Sequence, residues 1–213
     1  MIKIKIYFYT SIILLSLTSC LNSVASEVKN WIEISNIEDI KGHYHFLSDD
    51  GIKIFLPQSF KKYSSVGYQQ LLDSLATKKN YDLEIKRLHV LREMEGNFYI
   101  FFDEETRSTY TINTLPYTPL YRGDAQYILG IISMNHKKIA SKTDLEFTKI
   151  TAKYNSNKTT QIFKAIHRID DTKKSLSTYN SSYILTSNKK TVFLQLHTGF
   201  DVDFDPFLQK MIL

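Results

Sequence analysis

The sequence predicts an α+β domain built on a large antiparallel sheet covered by helices. Three observations carry that prediction. The last third of the chain alternates apolar strand-like runs with turns of a few residues, and connections that short join only antiparallel neighbours. Three stretches in the first two thirds space their apolar residues by threes and fours, the signature of helices with one buried face. The size fits one domain: 213 residues, 43% hydrophobic and 23% charged, close to globular averages.

Residues 31–35 alternate as a strand. His43-Tyr44-His45-Phe46-Leu47 and Ile52-Lys53-Ile54-Phe55-Leu56 flank Ser48-Asp49-Asp50-Gly51, and Asp-Gly between apolar runs marks a hairpin. Pro57 closes the second strand. Residues 59–77 read as a helix with Ser59 as N-cap and Phe60, Tyr63, Leu71, Leu72 and Leu75 near one face. Residues 81–95 repeat the pattern through Tyr81, Ile85, Leu88 and Leu91, with a partial alternation that also allows a strand over 81–91, and Gly96 stands where a helix end favours glycine. Residues 98–102 are a continuous apolar run expected to form a central strand, followed across Asp103-Glu104-Glu105 by a strand over 108–112.

Pro116 and Pro119 frame the loop LPYTPLYRG. A third helix follows over 124–138, with Ala125, Ile128, Ile131, Ile132 and His136 on its inner stripe. A four-stranded meander is expected over 147–154, 161–169, 176–185 and 192–197. Asp205-Pro206 then reads as N-cap and first helical residue of a short terminal helix, with Phe207, Leu208, Met211 and Ile212 as its apolar face. No internal repeat interrupts this order, and residues 31–213 form the single domain.

The N-terminus has a different character. Lys3 and Lys5 precede an apolar stretch, 6–17, of the length of a signal-peptide core. It ends in Leu17-Thr18-Ser19-Cys20, which resembles a bacterial lipobox at all four positions. The resemblance implies a diacylglyceryl group on the Cys20 sulfur and cleavage after Ser19. Cys20 is the single cysteine of the chain, so disulfide frameworks and multi-cysteine metal sites are excluded. On that resemblance, residues 1–19 are expected to be a lipoprotein signal peptide, and 20–30 the lipidated cysteine and its polar tether. Leu21 is not the Asp that marks inner-membrane retention in enterobacterial lipoproteins. The expectation is a cell-envelope position, on the outer membrane facing the periplasm if the host has two membranes. Loss of residues 1–19 removes two lysines and no acid, leaving 25 basic and 22 acidic side chains and a charge of +3. That balance points away from nucleic acid.

The element order resembles the PsbP-like α/β/α sandwich over most of residues 43–213. The matching features are the hairpin ending in Phe55-Leu56-Pro57, the helix behind it, and the late meander leading to a short helix at 205–213. The resemblance implies a domain of the kind that serves as adaptor or assembly factor without catalysis.

Motifs for chemistry are sparse. No two of the seven glycines lie within six residues of each other, so phosphate-cradling loops are absent. No G-x-S-x-G or H-E-x-x-H occurs. His43 and His45 form an H-x-H pair that could begin a metal site with Asp49 or Asp50, but the reading favours solvent-facing histidines on a strand whose core face carries Tyr44 and Phe46. Asp201, Asp203 and Asp205 imitate a calcium loop, which then fails at Pro206 and Ile212. His89 and Glu93 are an i, i+4 surface pair, and His136, His167 and His197 have no local partner. No catalytic residue, metal or cofactor is predicted. Tyr117, Tyr121 and Arg122 form the candidate interaction loop, because tyrosine and arginine anchor protein interfaces and prolines lower the entropy cost of one loop shape. The expected function is a non-catalytic, membrane-anchored lipoprotein that binds an envelope protein, with a small-ligand or metal carrier as the alternative and a hydrolase with a site scattered along the sequence as a third reading.

Overall fold

The computed structural model describes residues 40–75 and 78–213, without the side chains of 75–83. The signal peptide, Cys20, the tether and the strand expected at 31–35 lie outside these residues, as do the side chains of Leu75 and Tyr81.

The chain begins with a separate antiparallel hairpin, β1 (His43–Leu47) and β2 (Ile52–Leu56), turned at Gly51 with φ +62°. A short strand β3 (Lys61–Tyr63) leads into helices α1 (Ser65–Leu75) and α2 (Lys78–Arg92). Then come β4 (Asn97–Asp103), β5 (Ser108–Leu115), helix α3 (Arg122–Ala140), and the meander β6 (Leu145–Ser156), β7 (Thr160–Asp171), β8 (Leu176–Ser187) and β9 (Lys190–Thr198). Helix α4 (Asp205–Gln209) closes the fold.

Seven strands form one sheet in the order β3-β4-β5-β9-β8-β7-β6, every neighbour antiparallel. The expected four-strand meander is its far half. Helix α3 explains the order. Its 19 residues span about 28 Å at ~1.5 Å per residue. The step from β5 to β6 is four strand spacings, about 19 Å at ~4.8 Å each. The helix thus carries the chain to the opposite edge, and the meander returns until β9 pairs with β5.

The sheet is covered on both faces. On one face lies the main core, where Leu47, Ile54 and Leu56 of the hairpin and Phe204 and Leu208 near the C-terminus meet Phe101 and other sheet residues. On the other face α1 and α2 pack Tyr68, Leu72 and Leu88 on Ile100 and Phe102 of β4. Helix α3 packs Ala125, Ile128, Leu129 and Ile132 over Phe163 and Ala165 of β7 and Ala152 of β6. Gly96 takes φ +92° after α2, and a Cβ there would run into the Thr114 carbonyl oxygen.

Four expectations are corrected. Ser59 caps no helix. Its hydroxyl donates to Asp103 Oδ2 at 2.9 Å, Phe60 buries in the hairpin-side core, and Lys61–Tyr63 pair with β4. The cap is Ser64, whose Oγ accepts the Gly67 N–H at 3.0 Å. The faces of β1 are reversed: Tyr44 and Phe46 are 51% and 58% exposed, while His45 turns its ring to Phe101 at 4.8 Å. Parity decides this, because Leu47 and its register partner Ile52 must share the buried face, and His45 with Ile54 follows. The partner of Tyr44 across the hairpin, Phe55, is sheltered outside by Tyr44 at 5.0 Å, Phe207 at 6.1 Å and Lys210.

Asp205 is the first residue of α4 and not its N-cap, which is Phe204. Its backbone N–H donates to Asp203 Oδ1 at 3.1 Å. Its buried carboxylate instead accepts Lys164 Nζ at 2.5 Å and the Tyr183 hydroxyl at 3.1 Å. Finally, the terminal helix stops at Gln209. Ile212 is exposed and exchanges two backbone hydrogen bonds with Lys53, adding a bridge to β2 instead of an apolar helix face.

Candidate functional site

The loop between β5 and α3 is built by alternating anchored and outward residues. Pro116 and Pro119 fix φ and offer no N–H, so β5 cannot continue. Between them the Thr118 N–H donates to Thr191 Oγ1 at 2.9 Å, and the Thr118 carbonyl accepts the Thr186 and Thr191 hydroxyls, each at 3.1 Å. Leu120 is buried, and its carbonyl accepts the Tyr154 hydroxyl at 2.8 Å. The Tyr121 N–H donates to Asp124 Oδ2 at 2.8 Å, closing the first turn of α3 with an acid where the helix dipole favours one.

The three predicted residues fall at the outward positions of this loop. Tyr117 is 52% exposed and Tyr121 67%, and Arg122 opens α3 in solvent. Among the described residues none of their side chains has a hydrogen bond or ion pair. The backbone is tied to β6, β8 and β9 while the rings and guanidinium stay free. Such a loop presents large contact groups with little further ordering to lose. Tyr127, 72% exposed on α3, is a further aromatic that the sequence reading passed over. Its signal was its place off the stripe of Ala125, Ile128 and Ile132.

Two polar networks are engaged internally. Arg87 grips Glu84 with Nη2 at 2.6 Å and Nε at 2.8 Å, and gives Nη1 to Gln195 Oε1 at 3.1 Å. The Tyr68 hydroxyl joins Glu84 to Thr109. Burial pushes the Glu84 carboxyl up, but Arg87 outweighs it and holds the group below the usual carboxylate range. This network pins α1 and α2 to β5 and β9, and its distribution over four elements hid it from sequence reading. Asp50 similarly ties the hairpin to the sheet, accepting from the Tyr99 hydroxyl at 2.6 Å, Thr114 Oγ1 at 2.9 Å and Asn97 Nδ2 at 3.1 Å.

Four of the six histidines form two ring pairs. The His43 and His45 rings lie 4.1 Å apart, and burial, His43 and Lys62 lower His45 to about 4. Asp50 is occupied by its three donors and joins no ligand set with them. His136 of α3 stacks on Phe147 at 4.2 Å and meets His167 of β7 at 4.5 Å, a contact across 31 positions that local spacing does not reveal. Burial, then His167, lowers His136 to about 4, and burial, then Lys149, lowers His167. His89 pairs with Glu93 at 3.2 Å on the surface. Among the described residues no three His, Cys, Asp or Glu side chains converge as a metal-ligand set. Among them, too, no histidine shares a hydrogen bond with a serine or threonine hydroxyl. No helix of the described residues is long and apolar enough to cross a membrane.

No family model matches the chain, and no curated protein matches its sequence. Among solved structures, the chain is similar to the cyanobacterial PsbP of Synechocystis sp. PCC 6803, with a TM-score of 0.46 and 12% identity over 79% of this chain and 86% of that one. It is similar to the Saccharomyces cerevisiae Ran-binding protein Mog1p, with a TM-score of 0.42 and 9% identity over 76% and 79%. A Pseudomonas aeruginosa protein of unknown function, a putative regulator by its description, aligns with a TM-score of 0.29 and 8% identity over 75% and 83%.

Proposed function

We propose that the chain is a lipid-anchored, non-catalytic lipoprotein of the bacterial cell envelope whose α+β body binds an envelope protein through the loop at 116–122. The observation that carries the reading is the loop itself: backbone fastened to three strands, with Tyr117, Tyr121 and Arg122 unengaged and outward. The anchor comes from Leu17-Thr18-Ser19-Cys20. Two or more acyl chains hold a protein on a membrane stably, at ~0.8 kcal/mol per buried methylene. Internal satisfaction of the Glu84–Arg87–Gln195 network supports a binding role over catalysis, since none of those groups is left poised for a substrate.

The test couples anchor and loop. Cys20→Ala should move the protein from the membrane pellet to the soluble fraction. Tyr121→Ala combined with Arg122→Ala should weaken capture of the crosslinked partner at least tenfold and leave the circular dichroism spectrum unchanged. Continued pelleting of the Cys20 variant, or undiminished capture by the loop variant, would contradict the corresponding half of the proposal.

A further inference from the structure

Beside the loop, the first half of α3 and the outer strand β6 enclose an open groove of about 170 Å³. Ala125 and Leu129 of the helix and Ala152 and Tyr154 of the strand give it apolar walls. A cavity of ~150 Å³ holds a benzene-sized group, so one aromatic or branched side chain fits. Exposed Arg122 lines it on the helix side, and exposed Lys153 borders it along β6, its side chain on the opposite face of the strand from Ala152 and Tyr154. Among the described residues neither cation has a hydrogen bond or ion pair, and the nearby Asp124 is committed to the Tyr121 N–H.

Strand β6 supplies a backbone. It is the outermost strand and pairs only with β7 among the described strands. A bulge between Lys149 and Thr151 divides it, and from Thr151 to Ser156 its register against Ile166 to Gln161 is regular. Along that half, Ala152 and Tyr154 lie on the face toward α3, and Thr151, Lys153 and Asn155 on the other. An extended chain added along this edge would send alternate side chains into the groove and past Lys153.

We propose that the edge of β6 and the adjoining groove bind an extended acidic peptide segment, with one apolar side chain between α3 and β6 and carboxylates on Arg122 and Lys153. Charge complementarity selects the occupant: an apolar slot beside Arg122, with Lys153 on the other face of the same strand edge and neither cation in an ion pair among the described residues, favours an acidic segment over a neutral or basic one. The proposal rests on the adaptor reading and names the chemistry of the partner segment.

The test titrates the full chain, solubilised in detergent, against fluorescent peptides by anisotropy. One peptide carries glutamates around a central phenylalanine, the second replaces the glutamates by lysines, and the third replaces the phenylalanine by serine. The first should bind at least tenfold tighter than the others. Lys153→Glu and Arg122→Glu should each weaken it tenfold or more, while reversing both should favour the lysine peptide. Equal binding of the acidic and basic peptides, or full binding to the doubly reversed chain, overturns the proposal. Partner capture in cells separates the two claims. A Lys153→Glu chain that retains the partner, when the loop variant loses it, overturns the groove and leaves the adaptor reading standing. A wild-type chain that captures nothing overturns the adaptor reading, and the peptide titration still decides the groove.

Discussion

Asp205 lies under the sheet with its carboxylate on Lys164 and Tyr183, so removing its charge strands a buried ammonium. Breaking a buried pair from one side costs about 3–5 kcal/mol, whereas replacing both partners with apolar residues is often neutral. Asp205→Asn should therefore lower the guanidinium midpoint sharply, and Lys164→Met with Asp205→Leu should recover most of it. A single variant as stable as wild type would show the pair to be dispensable. The histidines set a pH dependence. His136 titrates near 4 in the fold against about 6.5 when unfolded, so between those values the unfolded chain binds more protons. Stability is therefore full above about pH 6.5 and falls as pH drops toward 4, by on the order of 1–2 kcal/mol for this half-buried group once solvent screening is discounted. Guanidinium midpoints at pH 7 and pH 4.5 should differ, and His136→Leu should flatten the difference. An unchanged slope in that variant would remove His136 from the account.

Elements defined by local signals were legible, and those defined by distant partners were not. The Asp50-Gly51 hairpin and the four meander strands rest on turn chemistry and alternation within a few residues, and they stand where expected. Helix α3 starts two residues before the expected range and ends two after it. The start of α1 was misplaced because Ser59 and Ser64 are equally good caps by sequence. Only the distant carboxylate of Asp103 decides that Ser59 faces the sheet. The faces of β1 were inverted because two aromatics outweighed one leucine in a local count, while the sheet beneath imposed the parity of Leu47. The β5–β9 pairing that completes the sheet joins residues about eighty positions apart, beyond any periodicity. At the site, the outward Tyr117, Tyr121 and Arg122 were legible from composition, but the threonines of β8 and β9 that hold their backbone were not. Gly96 is a test at this scale. With φ +92° and the Thr114 carbonyl in the place of a Cβ, Gly96→Ala should cost at least about 1–3 kcal/mol, read as a lowered Tm. Unchanged thermal unfolding would mean that the turn between α2 and β4 has another conformation.

At the scale of the molecule, the proposed partner surface is the loop end of α3 together with the edge of β6. Helix α3 links them: it starts at the loop, lies over β6, and ends near the His136–His167 contact. The proposed lipid anchor on Cys20 would confine that surface to the membrane neighbourhood, raising the effective concentration of an envelope partner. Cys20→Ala should thus weaken capture even with the loop intact. The most direct measurement places a photo-crosslinking amino acid at Tyr121 in living cells, with the same group at exposed Lys173 as control, and identifies the adducts by mass spectrometry. A specific envelope-protein adduct is expected at Tyr121, absent at Lys173 and depleted in the Cys20→Ala background. The same adducts at both positions, or none at Tyr121, would contradict it.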